Sequence, residues 1–364
     1  SKIPETGINL PLLAMFTLVL ASTALSTYPL KSFAKLPEME LWLIFVFFVP
    51  IILIRTKKVL RVLLLVLFLA ALLSALFAFG QYILYKNTPH PMGAPGYRPT
   101  GFFSFYLTFA NVSGMVMILA FGTALAAKDI RKKAALLALC AILIAAILLS
   151  KSRGPLLAAV FSLCALSFVH SRKIFLVVLG LLVAALPLAF LDPVIAQRIQ
   201  SIFEFSEYTN FETHYAIADR LTRWRIALNM IADNPVFGAG YGIFQTCMPL
   251  YNNTGHTVFS AHAHSIYFNI AAESGLPALG CLLWIFTGLI HRHWRHLKQY
   301  GKKFNTGFAG VVLFYAIAGL TEEVWSDAES FNTFWFLSGV GIAYLQHRGS
   351  EKSVERTDKK IVKY

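Results

Sequence analysis

Charged side chains are scarce in this sequence. They make up 14% of the residues, against about 25% in an average soluble domain. With 57% hydrophobic residues and a mean hydropathy of +0.63, that shortage points away from an ordinary soluble enzyme and towards a polytopic membrane protein. Cysteine is scarce too. Cys140, Cys164, Cys247 and Cys281 form no CxxC pair, and three of them lie inside apolar runs. There they read as small hydrophobes rather than as a disulfide framework or a thiolate metal site. A nucleotide fingerprint is missing as well. Gly238, Gly240 and Gly242 have the wrong spacing for GxGxxG and no βαβ unit around them, and they read as a flexible turn. Lysine is absent from residues 192–262, although the chain carries 32 basic residues and a net charge of +14.

Long apolar runs are abundant instead. A helical span needs about 20 apolar residues. Candidates lie at 10–27, 39–54, 59–84, 102–127, 134–150, 155–169, 174–191, 263–290, 304–321 and 331–346. The first is long for a signal peptide and lacks a good cleavage signal, so a retained span is expected. The expected fold is therefore an all-α membrane bundle with 10–12 spans and one large polar loop. It divides into an N-terminal bundle (1–191), the loop (192–262), C-terminal spans (263–346) and a basic tail (347–364).

The basic residues orient the bundle. With both termini cytoplasmic, the inside segments hold 22 of the 32. Runs such as 55–58, 128–133 and 291–296 are the anchors expected on that side. They read as topology signals and anionic-lipid contacts rather than as a nucleic-acid surface. Residues 192–262 then face outside, where arginines are not topology signals. Within this loop, residues 214–233 read as a helix with an apolar stripe of Ala216, Ile217, Leu221, Trp224, Leu228 and Ile231, suited to a bilayer surface. Arg220 and Arg223 share its Trp224 face and Arg225 points away. Segment 263–290 would be about 42 Å long as one helix, more than the roughly 30 Å hydrocarbon core. Gly275 and Pro277 are expected to break it into a polar outer half, 263–274, and a spanning half.

Several polar residues stand out on the outer side. His264 is suited to take a proton from a hydroxyl near neutral pH; a hydrogen-bonded interface histidine is the simpler reading, and the one favoured for His262. On a helix the two would point roughly 160° apart, which argues against a shared metal. Arg153, between two spans, either forks onto a phosphate or snorkels to headgroups, and the local sequence admits both equally. Arg220 and Arg223 carry the same choice. Arg98 is a candidate for the same anion site. In the last outer loop, Glu322 or Asp327 either orients the histidine or holds a sugar hydroxyl, with solvated loop charge as the equal alternative.

Taken in order, these motifs resemble a known family. Ser152-Arg-Gly154 opens a span, and the run from Arg220 to Pro235 leads into Phe237-Gly-Ala-Gly-Tyr-Gly242. His262-Ala-His-Ser265 precedes Glu273-Ser-Gly-Leu-Pro-Ala-Leu-Gly280. The set is similar to the O-antigen ligase and polymerase superfamily of bacterial inner membranes, over roughly residues 98–322. The nearest likeness is to the lipopolysaccharide O-antigen ligase, a membrane glycosyltransferase of the polyprenyl-dependent GT-C type. The resemblance implies transfer of a glycan from undecaprenyl diphosphate to the lipid A-core, at the periplasmic face, with inversion and without a metal or other cofactor. It also implies roles: Arg153 and Arg220 hold the donor diphosphate, His264 activates the acceptor, and Glu322 is the acidic partner. Ser265 departs from the pattern, because asparagine is common there.

Two other functions share these features. A polymerase or protein O-oligosaccharyltransferase would use the same donor with another acceptor. A transporter of lipid-linked sugar would carry mid-span polar groups and internal repeats. The sequence has neither, since its polar groups crowd the outer face.

Overall fold

The computed structural model describes residues 4–86, 97–189, 215–253, 262–301 and 305–361. Among them are twelve helices and no strands: α1 (Asn9–Ala24), α2 (Pro29–Leu53), α3 (Lys57–Tyr85), α4 (Tyr106–Ala126), α5 (Ile130–Leu149), α6 (Arg153–His170), α7 (Arg172–Ala189), α8 (Tyr215–Asp233), α9 (Phe244–Tyr251), α10 (Ile266–Tyr300), α11 (Gly307–Ala318) and α12 (Ala328–Ile361). Each of the ten expected spans overlaps one helix, and α8 and α9 are additional. Five helices, α3, α4, α5, α6 and α10, are long and apolar enough to cross a membrane, while α1, residues 43–53 of α2, and α11 are shorter apolar helices. Of the expected polar loop, residues 192–214 and 254–261 lie outside the described residues, and with them the boundary at 192.

Local sequence explains where the spans begin. Thr56 and Asp129 cap α3 and α5, their side chains accepting hydrogen bonds from the Val59 and Arg131 amides. Each cap directly precedes or sits inside a basic run. The central element is α4, whose apolar window is 83% buried. Small residues let neighbours approach it: Gly114 faces the Phe314 ring and Gly122 faces the backbone of Gly307. The perimeter is different. Leu65, Val66, Leu69, Leu73 and Phe77 of α3 and Leu176, Val177 and Leu181 of α7 are exposed. Such a surface suits hydrocarbon, not water. The protein is a polytopic membrane protein.

The two ends of the bundle differ in chemistry. At one end Arg292 donates to the Glu5 carbonyl, Asn305 donates to Thr123 Oγ1, and His347 lies 2.7 Å from the Ile54 carbonyl. These contacts gather the lysine- and arginine-rich segments. At the other end sits a second, small core of Ile226, Ala227, Met230, Ala239, Ile243, Phe244, Cys247, Met248, Ala263 and Ala272. It joins α8, α9, the glycine turn and the start of α10.

Two expectations need correction here, and one helix shows a second face. The helix at 215–233 forms as expected, and it packs on the protein through residues other than Leu221 and Leu228 of its apolar stripe. Leu221 and Leu228 are exposed, whereas Asp219, Thr222, Arg223, Ile226, Ala227 and Met230 are buried. The sequence offers two apolar stripes, and the one that docks on the small core includes Ala227, which permits close approach. Next, α10 starts at Ile266, so residues 263–265 are not helical. The break at Gly275 is present, with φ +85° and ψ 167°. Finally, the glycine turn is not flexible. The Ala239 and Gly240 amides donate to the Ala272 and Glu273 carbonyls, and the Leu276 amide donates to the Pro235 carbonyl. The turn thus fills the break in α10, which leaves the Ala272 and Glu273 carbonyls without helical donors.

Candidate functional site

Glu322 is the point on which the site residues converge. It follows α11 in an irregular turn and is 3% exposed. Arg220, from α8, donates to its Oε1 at 2.7 Å. The charges of Arg153 and Arg98 also act on it. Arg153 is the first residue of α6, and its neighbour Gly154 lies against Thr321 and Glu322: a Cβ there would come within 2.6 Å of Thr321 Oγ1 and 3.1 Å of Glu322 Cγ. Glycine at this position therefore lets the start of α6 press onto the carboxylate turn. Arg98 stacks over the Tyr106 ring at 4.2 Å, which fixes its guanidinium plane at the mouth of α4. Three arginines, distant in sequence, thus act on one carboxylate, Arg220 by direct contact.

His264 stands on the other side of Glu322. Its Nδ1 is 3.8 Å from Glu322 Oε2, too long for a hydrogen bond, and this nitrogen is buried without a hydrogen-bond partner. The backbone at His264 is left-handed, with φ +54°, an uncommon state for a residue other than glycine. The surrounding contacts hold it: the Ala263 amide donates to Asn269 Oδ1 and the Ile266 amide donates to the Gly319 carbonyl. Because 262–265 is not helical, the projection that separated the two histidines fails. Their rings meet edge to face, with centroids 4.7 Å apart. Among the described residues, no group of three or more His, Cys, Asp or Glu is placed to hold a metal ion.

Electrostatics follow from this crowding. Burial first, then His262, Arg223 and Arg220, push the His264 pKa down to about 2. His262 falls to about 4, through burial and Arg223. Both imidazoles are neutral at physiological pH. Burial raises the Glu322 pKa, and Arg220 opposes that rise. Burial also lowers the pKa of Arg98. Arg223 pairs with Asp219 one helical turn earlier, at 2.5 Å, so its charge is partly spent within α8. Arg225 is exposed.

A cavity of about 840 Å³ opens between these elements. Arg223, His262, His264 and Glu322 line it, together with Lys35, Asn111, Glu273, Glu323, Trp325 and Asp327. Of the candidate site residues, Arg223, His262, His264, Glu322 and Asp327 line this cavity, whereas Arg98, Arg153 and Arg220 act on Glu322 without lining it. Glu323, Trp325, Lys35 and Asn111 were not singled out in the sequence. Lys35 lies in the outer part of α2, and Asn111 sits inside an apolar span, where a polar residue is itself a signal. Glu273 has a different task. Its Oε1 accepts from the Phe244 amide at 2.8 Å, which ties α9 to the outer half of α10.

The architecture is that of a polytopic membrane protein with a buried polar cavity at one end, lined by Lys35 and Arg223 together with Glu273, Glu322, Glu323 and Asp327. Residues 136–283, from α5 into α10, match the family described as O-antigen ligase. By this match the segment is similar to the O-antigen ligase superfamily, the family that the order of motifs implied. The match includes Arg153, Arg220 and His264 and supports an enzyme of the O-antigen ligase or polymerase type. No curated relative matches the chain.

Proposed function

We propose that the protein is an O-antigen ligase. It transfers a glycan from undecaprenyl diphosphate to a hydroxyl of the lipid A-core, with inversion, at the periplasmic face of the bacterial inner membrane. One observation carries this reading: Arg220 pairs with the buried carboxylate of Glu322 and the charges of Arg153 and Arg98 act on it as well, beside a neutral histidine. Three half-buried arginines around one carboxylate leave positive charge over, and a diphosphate is an anion that arginine forks match. In the reaction the acceptor oxygen bonds to the anomeric carbon while the bond from that carbon to the diphosphate oxygen breaks. Arginines stabilise charge on the leaving diphosphate. His264 takes the proton of the attacking hydroxyl, and Glu322 then faces the imidazolium. The bound diphosphate also offsets the arginine charges that hold the histidine's basicity down.

The test is reconstitution of the purified protein in lipid with a polyprenyl-diphosphate glycan. Three acceptors are offered: lipid A-core, a peptide, and a second lipid-linked glycan. Modification of lipid A-core is expected, with or without a chelator. Modification of the peptide or of the second glycan instead would replace the reading by a protein transferase or a polymerase. His264→Ala should lower transfer by roughly a hundred- to ten-thousandfold while the protein stays folded and inserted. Near-normal transfer would remove His264 from the role of base. Arg153→Ala and Arg220→Ala should weaken donor use, and lysine should restore it poorly because the planar fork is lost.

A further inference from the structure

The cavity has a second wall that the donor chemistry leaves unused. Glu323 is 6% exposed, Asn111 2% and Trp325 3%, and all three line the same cavity as His264. Each carries a buried polar atom with no hydrogen-bond partner: Glu323 Oε2, Asn111 Oδ1 and Trp325 Nε1. The other carboxylate oxygen of Glu323 is held, 3.3 Å from both the amide and the hydroxyl of Ser326. The residue is therefore fixed with one oxygen left over. Unsatisfied buried groups cost stability and are uncommon in native proteins. Three from three different residues, lining one cavity, describe a site waiting for a polar ligand. Asn111 Oδ1 accepts, Trp325 Nε1 donates, and Glu323 Oε2 accepts as a carboxylate and donates when protonated.

We propose that Asn111, Glu323 and Trp325 form the acceptor subsite, which binds the terminal sugar of the acceptor glycan through its hydroxyls and presents one of them to His264. A sugar hydroxyl both donates and accepts, so vicinal hydroxyls match a carboxylate oxygen, an amide oxygen and an indole N–H at once. The arginines would draw the diphosphate, whereas the wall of Asn111, Glu323 and Trp325 offers it no cation, so the two substrates are drawn to different parts of the site. Glu323 supports this because burial pushes its pKa up to about 8; at neutral pH it is largely a neutral carboxyl, suited to uncharged hydroxyls. The proposal rests on the ligase reading of the same site.

Two conservative variants test it. Glu323→Gln and Trp325→Phe each alter the unpartnered polar group with little change in volume, and thermal unfolding in detergent checks that they stay folded. Transfer is measured in lipid with a polyprenyl-diphosphate glycan donor, titrating lipid A-core and donor separately. Saturation-transfer NMR with the deacylated core oligosaccharide reads binding without turnover. Each variant should raise the acceptor KM and weaken oligosaccharide binding by about tenfold, the usual scale for one lost buried hydrogen bond, while the donor KM stays unchanged. An unchanged acceptor KM with unchanged oligosaccharide binding overturns the subsite. So does an equal rise in both KM values, since that marks a general distortion. A wild-type protein that neither binds the oligosaccharide nor transfers to it overturns the ligase reading and the subsite together.

Discussion

At the residue scale, the chemistry turns on a histidine made less basic than usual. A free imidazole titrates near 6.5. In this cavity burial, His262, Arg223 and Arg220 all favour the neutral form of His264. Its proton-accepting form therefore persists well into acid. The pH profile of kcat/KM, which reports the free enzyme, should show no acid limb near 6.5. Arg223→Ala removes one of the depressing charges and should move the acid limb to higher pH. A wild-type limb near 6.5, or a limb that Arg223→Ala shifts downward, would contradict the electrostatic account. The candidate site was largely legible at this scale because arginines and histidines on the outer side have no topological duty. What the sequence hid was contact. His262 and His264 looked separated on a helix, but 262–265 is irregular backbone and the rings touch. Asn111, Glu323 and Trp325 were missed because an isolated polar residue in or beside a span shows its unpartnered atom only once the neighbouring helices surround it.

At the element scale, the outer subdomain hangs on the break in α10. The apolar period of α8 gave its existence and ends but not its docking face, since Leu221 and Leu228 are exposed while Ile226 and Met230 are buried. Periodicity reports that a stripe exists, and packing decides which stripe is covered. The Gly275 break was legible because glycine followed two residues later by proline cannot continue a regular helix. Its consequence is steric. Gly275 has φ +85° and ψ 167°, a region open essentially to glycine alone. A Cβ there would run into the Val236 carbonyl, whereas Gly280, one turn further along, has nothing within 4 Å. Gly275→Ala should therefore destabilise the protein by about 3 kcal/mol or more and release the glycine turn. Gly280→Ala should be neutral or stabilising by about 0.5–1 kcal/mol, apart from any change in lipid contact. Thermal unfolding of both variants in the same detergent checks the opposite signs. Equal effects would mean that the break is not a fixed joint.

At the scale of the whole molecule, the distribution of charge makes a statement about orientation. The contacts Arg292 to Glu5, Asn305 to Thr123 and His347 to Ile54 gather one end of the bundle, and that end holds the basic segments 55–61, 128–133 and 291–301. The cavity opens at the other end, where Arg98, Arg153 and Arg220 gather near Glu322 and the proposed diphosphate, not topology, accounts for them. If positive loops are retained in the cytoplasm, the cavity must face outwards, where a lipid-linked glycan already carried across the membrane would meet its acceptor. Cysteine labelling decides this. In a background without Cys140, Cys164, Cys247 and Cys281, Arg225→Cys marks the exposed side of α8 and Lys132→Cys marks the exposed start of α5. In intact cells with a permeabilised outer membrane, an impermeant maleimide should label Arg225→Cys at once and Lys132→Cys only after the inner membrane is broken. The reverse pattern would put the cavity in the cytoplasm. The arginine cluster could then serve only a donor on the inner leaflet, and the ligase reading would fall even if the site still bound a diphosphate.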